Sequence, residues 1–381
     1  MAATFVPITP TVLEWAINEA GVDPAQVAEK AGVEPDAVLG WIAGEVQPTK
    51  TQFGRVMQFL KRPAPFFFLA EPPVEAQVPA SFRHAPGGAR DATKTELEAV
   101  RRARRVQRIA KWTAERVGDE RWALEPIPPA DGASPADAAE VARERLGWLV
   151  PVHQQGAPSS SAVVKLIRAA VEERGVVALQ LSIGPDGCRG FSLYDDLKPV
   201  IAINTHYNAE ARLFTYLHEV GHLMRRTDAI CVGAGDTAAE RWCERFAAAF
   251  LLPRAELRER LERRFGAETT VRGLDQVRLL ARDFRVSQTA MAIRLEDLGW
   301  GASGLVGLIP RATDFKSGGG GGADNTRGAT RLRELGAGYF SLLLEAESSG
   351  TLGRQDVLRY LDVSETQLRA MTFEAEGPSE S

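Results

Sequence analysis

Residues 216–224 of this 381-residue chain read YLHEVGHLM, and no other stretch restricts its folding as strongly. Two of the five histidines, His218 and His222, stand four apart, and Glu219 directly follows the first. On a helix, residues four apart share a face, with about 5–6 Å between their Cβ atoms. Both imidazoles can then reach one tetrahedral ion. Glu219 falls one position round the helix. There it can reach a water at such an ion but is badly placed to ligate alongside both histidines. That is the chemistry of HExxH: zinc acidifies water, and the glutamate takes the proton. A helix that buried Glu219 with no such purpose would carry an uncompensated charge.

A hydrolytic zinc site needs a third protein ligand and one open position. Three acids compete for the role. Asp228 follows His222 by six residues, as in metzincins, but those enzymes turn the chain at a glycine where this one has Arg225. Asp236 lies in the loop GAGDT. Glu240 opens the next helical stretch, with 17 residues between it and His222. That spacing lets a second helix pack on the first and present a carboxylate, the gluzincin arrangement, so Glu240 is favoured. Glu244, one turn on, is a candidate to hydrogen-bond a ligating histidine and fix its tautomer.

The surrounding pattern is α+β. SSSAVVKLIRAAVEERG (159–175) reads as a capped amphipathic helix. VVALQLSI (176–183), RGFSLY (189–194) and PVIAIN (199–204) read as strands, with GPDG (184–187) as a turn. Helices follow at ARLFTYLHEVGHLMRR and TAAERWCERFAAAFLLP, then two more around a turn at Val286–Ser287. PIPPADGASPAD (126–137) and SGGGGG (317–322) read as linkers, and the terminal EAEGPSES as disordered. The expected domains are 1–72, all-α; 81–125, a basic helical connector; 135–310, the α+β core with a small sheet; and 326–374, a small helical extension.

ARLFTYLHEVGHLM followed by ERWCERFAAAFLLP resembles the ImmA/IrrE family of zinc peptidases. Arg212, Phe214, Thr215, His218, Glu219, His222, Glu240, Cys243, Phe246, Ala247, Leu252 and Pro253 match its pattern. Residue 244 is glutamate where that family usually has Asn or Asp. The resemblance spans roughly 160–300. It implies a gluzincin-like peptidase fold, with His218, His222 and Glu240 holding Zn2+ and Glu219 as general base. An oxyanion-stabilising group stays unassigned among His153, His206, Tyr207 and Tyr216.

VDPAQVAEKAGVEPDAVLGWIAGEVQPTKTQF (22–53) resembles an Xre/Cro-type helix-turn-helix, which implies a recognition helix at 34–43. That helix reads EPDAVLGWIA, with two acids and no Arg, Lys, Asn or Gln to read bases. Residues 1–62 carry seven acids and five bases, so phosphate attraction is weak as well. Residues 81–117 carry ten Lys/Arg against four Asp/Glu. Any DNA contact therefore falls to Arg101, Arg102, Arg104 and Arg105. Phe66–Phe68 reads as a packing plug.

A net charge of −4 supplies no global field for nucleic acid or membrane. Three cysteines without a CxxC pair suit a reducing compartment, and MAATFVPITP lacks the features of a signal peptide. No membrane contact is expected, and the location is read as cytoplasmic. Together with the resemblance, the expected activity is cleavage of a specific, repressor-like regulatory protein in a stress or mobile-element response. The alternative is an antitoxin whose peptidase fold neutralises a small toxin encoded nearby, such as a PIN-type nuclease. Either partner would be a protein, and self-association is compatible with the appended helical segments.

Overall fold

The computed structural model describes residues 4–73, 93–121, 133–226 except Asp186, 237–310 except Glu268, and 327–376. Cys231, Asp228 and Asp236, most of the 126–137 linker, the glycine run 317–322 and the last five residues lie outside the described residues. The chain divides into two compact units, one formed by Met1–Pro79 with Arg90–Val100, the other by Ala80–Ala89 with Arg101–Ser381.

The first unit opens with α1 (Pro10–Glu19), α2 (Pro24–Ala31), α3 (Pro35–Ala43) and α4 (Lys50–Leu60). Proline at the first turn of α1, α2 and α3 costs no hydrogen bond there. Asp23 and Gln26 close a reciprocal cap on α2, and Gly32 ends that helix in the left-handed region. Val27, Ala28, Val38 and Trp41 turn into a common core. Phe67 joins that core edge-on to Phe53 at 5.4 Å between ring centres, and Phe66 packs on Trp15 at 5.7 Å. Phe68 stays about half exposed, so two of the three aromatics act as the plug. The outward face of α3 carries Glu34, Asp36 and Leu39.

Helix α5 (Lys94–Val117) starts at Thr93, whose side chain and that of Glu96 cap each other. Its large apolar residues give no stripe in the sequence. The buried stripe is built from small ones instead: Ala99, Val100, Ala103, Val106, Ala110 and Ala114. Within the second unit the Gln107 amide donates to the backbone oxygens of Leu193 and Lys198, at 3.1 and 3.2 Å. Lys111 pairs with Asp195 at 2.7 Å. At the end of α5, buried Asp119 meets buried Lys198 at 2.9 Å and Arg121 at 2.6 Å. Burial pushes the Asp119 carboxyl up, but these two cations outweigh it and hold it well below the usual carboxylate range.

The core of the second unit runs α6 (Pro135–Leu146), α7 (Ser160–Glu173), β1 (Val177–Leu181), β2 (Gly190–Leu193), β3 (Val200–Asn204), α8 (Ala209–Met224) and α9 (Thr237–Leu251). Then come α10 (Arg254–Phe265), α11 (Leu274–Asp283) and α12 (Gln288–Asp297). β3 is central and wholly buried; β1 pairs with it in parallel and β2 antiparallel. Its unbroken apolar run reflects burial on both faces. α8 packs along β2 and β3 on one side and against α9 on the other.

Three side chains finish the C-terminal end of α9, where helix carbonyls lack partners of their own. Arg143 donates to the Ala249 oxygen at 2.8 Å, Gln154 to that of Leu251 at 3.0 Å, and Arg294 to that of Leu252 at 2.9 Å. These contacts fix the helix that carries Glu240.

Four more helices follow: α13 (Arg327–Leu335), α14 (Ala337–Ser348), α15 (Arg354–Leu361) and α16 (Glu365–Glu376). α13 and α14 pack on β1, and α14 also on α7. Arg168 on α7 holds Glu172 at 2.9 Å and donates to the Arg333 oxygen at 2.6 Å. Gly336, between α13 and α14, has φ +90°, and a Cβ there would collide with the Glu172 carboxylate. The extension is thereby fastened to the core.

Candidate metal centre

α8 begins at Asn208, whose side chain accepts from the Ala211 amide at 2.8 Å. From Leu213 to Met224 every residue is buried. His218 and His222 are 1% and 4% exposed, and Glu219 is fully buried. Gly221 faces α9: a Cβ there would stand 3.1 Å from Phe246 and 3.3 Å from the Cys243 sulfur. Glycine lets the two helices approach closely enough for the α9 carboxylate to reach the α8 imidazoles.

His218 Nε2 and His222 Nε2 are 3.1 Å apart. Glu240 Oε2 lies 3.1 Å from His218 Nε2, and Oε1 lies 3.4 Å from His222 Nε2. Ligands about 2.1 Å from a tetrahedral zinc stand roughly 3.4 Å from one another. The two imidazole nitrogens stand near that spacing, each imidazole has its own Glu240 oxygen in reach, and with one ligand atom taken per residue the three lie within 4.8 Å of one another. Among the described residues these three form the one group able to hold a metal ion. The Glu240 side chain is 43% exposed, so the cluster opens to solvent on its side.

Electrostatics agree with a cation in that place. Partial burial pushes the Glu240 carboxyl up, but the hydrogen bonds and charge of His218 and His222 hold it well below its ordinary range. Burial pulls the His222 imidazole down, yet its hydrogen bonds with Cys243 and Glu240 raise it well above its usual value. A raised imidazole beside a depressed carboxylate marks a position that favours positive charge.

Glu219 lies beside the cluster on α8. The Ser192 hydroxyl on strand β2 donates to its Oε2 at 2.8 Å, and both side chains are fully buried. Sequence reasoning missed Ser192, which stands 27 positions away and meets Glu219 through packing of β2 on α8. It also missed that Cys243 touches His222; the i+3 spacing from Glu240 was the available signal. Glu244 lies one turn beyond Glu240, half-buried.

Three of the groups considered for oxyanion stabilisation engage other partners. The Tyr207 hydroxyl donates to the Gly187 oxygen at 3.0 Å, and that of Tyr216 accepts from Gln180 at 3.4 Å. His153 stacks on Trp148 with 5.1 Å between ring centres. His206 precedes α8, and its backbone amide donates to the Asn204 side chain at 3.1 Å. Of the connector arginines, Arg102 pairs with Glu334 at 2.6 Å, Arg101 and Arg104 are half-buried, and Arg105 is exposed.

Residues 171–296 match the peptidase M78 family model, the IrrE N-terminal-like domain. The IrrE-like segment, 126 of 381 residues, contains the sheet, α8, α9 and every cluster residue. It supports a metallopeptidase fold for this part of the chain. Among curated proteins no significant sequence match to the chain is found. Among the described residues no helix is long and apolar enough to cross a membrane.

Proposed function

We propose that the chain is a zinc-dependent endopeptidase acting on a specific regulatory protein of repressor type. The observation that carries the reading is the His218–His222–Glu240 cluster, whose ligand atoms lie within 4.8 Å of one another, beside a buried glutamate that is not part of it. Zinc, held by these three residues, would supply Lewis acidity and activate water. The chain's own part is to hold the imidazoles and the carboxylate in place through α8 and α9. Ser192 orients the Glu219 carboxylate, which takes a proton from the attacking water and returns it to the leaving amine.

The substrate class rests on likeness to the IrrE-like family. A second reading, an antitoxin that neutralises a small toxin, draws on the extra surface of α5 and α13–α16. One experiment separates them: co-expression with the neighbouring gene product, comparing wild type with Glu219→Gln. A peptidase leaves its target uncut in the variant, after a loss of about 100- to 10,000-fold in rate. An antitoxin neutralises equally well with either residue, and that result would remove the enzyme reading.

A further inference from the structure

α5, α13, α15 and the start of α16 enclose a groove of about 890 Å³, within the range of small-molecule sites. Five arginines line it: Arg102 and Arg105 from α5, Arg327 and Arg331 from α13, and Arg359 from α15. Val106, Leu335 and Leu358 give it an apolar side. Asp362 is the single acid in its lining.

Two carboxylates brace three of the arginines. Glu334 accepts from Arg102 at 2.6 Å and Arg331 at 2.7 Å. Asp362 accepts from Arg327 at 2.9 Å and also from Arg331. These pairs fix guanidinium positions before any ligand arrives, so less side-chain freedom is lost on binding. Arg359 is exposed, pairs with Asp356 at 2.9 Å and lies over the Tyr360 ring. Exposed Arg105 makes no hydrogen bond or ion pair among the described residues. Five arginines against Glu334, Asp356 and Asp362 leave an excess of two positive charges. Val363, Ser364 and Gln367 bring the first turn of the 12-residue α16 to the groove, adding a helix N-terminus.

We propose that this groove binds a nucleoside triphosphate. Guanidinium forks match phosphate oxygens in pairs, and Arg105 and Arg359 have donors to give. The apolar side accounts for a base, which a bare phosphate chain lacks. The volume is that of a small ligand rather than of a folded partner. The assignment is independent of the peptidase reading, because no metal-cluster residue takes part.

Calorimetric titration of the full chain with ATP and GTP tests it, with inorganic triphosphate and a poly-glutamate peptide as comparators. The expected result is saturable binding of one nucleotide per chain, weakened by added salt. The double variant Arg105→Glu/Arg359→Glu should bind at least about tenfold more weakly, with zinc content and unliganded melting temperature unchanged. Arg105→Gln alone, which disturbs no ion pair, should show a smaller loss and guards against misfolding of the double variant. No saturable binding overturns the proposal, as does binding that ignores both variants. Triphosphate binding as tightly as ATP would remove the base from the assignment. Preference for the peptide would make the groove a protein-docking site instead.

Discussion

The Ser192 hydroxyl donates to Glu219 at 2.8 Å between two side chains closed to solvent. A buried hydrogen bond to a charged group contributes about 1.5–3 kcal/mol. Ser192→Ala is therefore expected to lower the unfolding free energy by about 2 kcal/mol in urea titrations, with zinc content unchanged. Loss of zinc in this variant would mean that Ser192 supports the metal cluster rather than the glutamate. His218 and His222 were legible because helical spacing puts them together, and the 17-residue gap with the family resemblance favoured Glu240 among three acids. Ser192 was not, since no local rule joins a strand residue to a helix residue 27 positions on. Asp228 and Asp236 could be set against Glu240 from sequence only by loop geometry. The structure shows Glu240 at hydrogen-bonding distance from both imidazoles.

α5 shows the limit of pattern reading for a whole element. Its large apolar residues make no stripe, because four alanines with Val100 and Val106 form the buried face. Small residues let a helix lie close to its neighbours while its polar side chains reach across. Gln107 and Lys111, with Asp119 just past the helix end, do so toward the residues between β2 and β3. Lys198→Met should cost about 2 kcal/mol, because it removes one of the two cations that compensate buried Asp119 and leaves Arg121 alone to do so. The pH dependence has a fixed sign. Asp119 has a depressed pKa, so its pair with Lys198 stabilises fully above the unfolded value of about 3.9 and is lost as pH falls below it toward the folded value. The stability gap between wild type and Lys198→Met should be constant from about pH 8 to pH 5 and narrow below about pH 4. A gap that instead narrowed on raising the pH would contradict the assignment. Gly336→Ala tests the extension in the same way. It forces a side chain into the left-handed region and against Glu172, so it should cost about 2 kcal/mol and expose α13 to proteolysis.

At the scale of the molecule, the three strands and the helices around them from α7 onward were readable from the alternation of period, whereas α6, which starts at Pro135 inside a stretch read as a linker, was not. Helices α11 and α12 fall on either side of Val286–Ser287, as expected. The docking of α13 and α14 on the core was not readable, because it depends on Arg168, Glu172 and Gly336 meeting across distant segments. The acidic and apolar outer face of α3 offers no base-reading side chain. The full chain is accordingly expected to bind duplex DNA weakly and without sequence preference, as read by fluorescence anisotropy across several duplexes. A preference of tenfold or more for one sequence would contradict that expectation. The account as a whole turns on whether His218, His222 and Glu240 hold zinc while Glu219 does not. Elemental analysis of the purified chain measures this directly. One zinc per chain is predicted for wild type and for Glu219→Gln, and a largely empty site for His222→Ala and Glu240→Ala. Full zinc occupancy in Glu240→Ala, or loss of zinc in Glu219→Gln, would contradict the account.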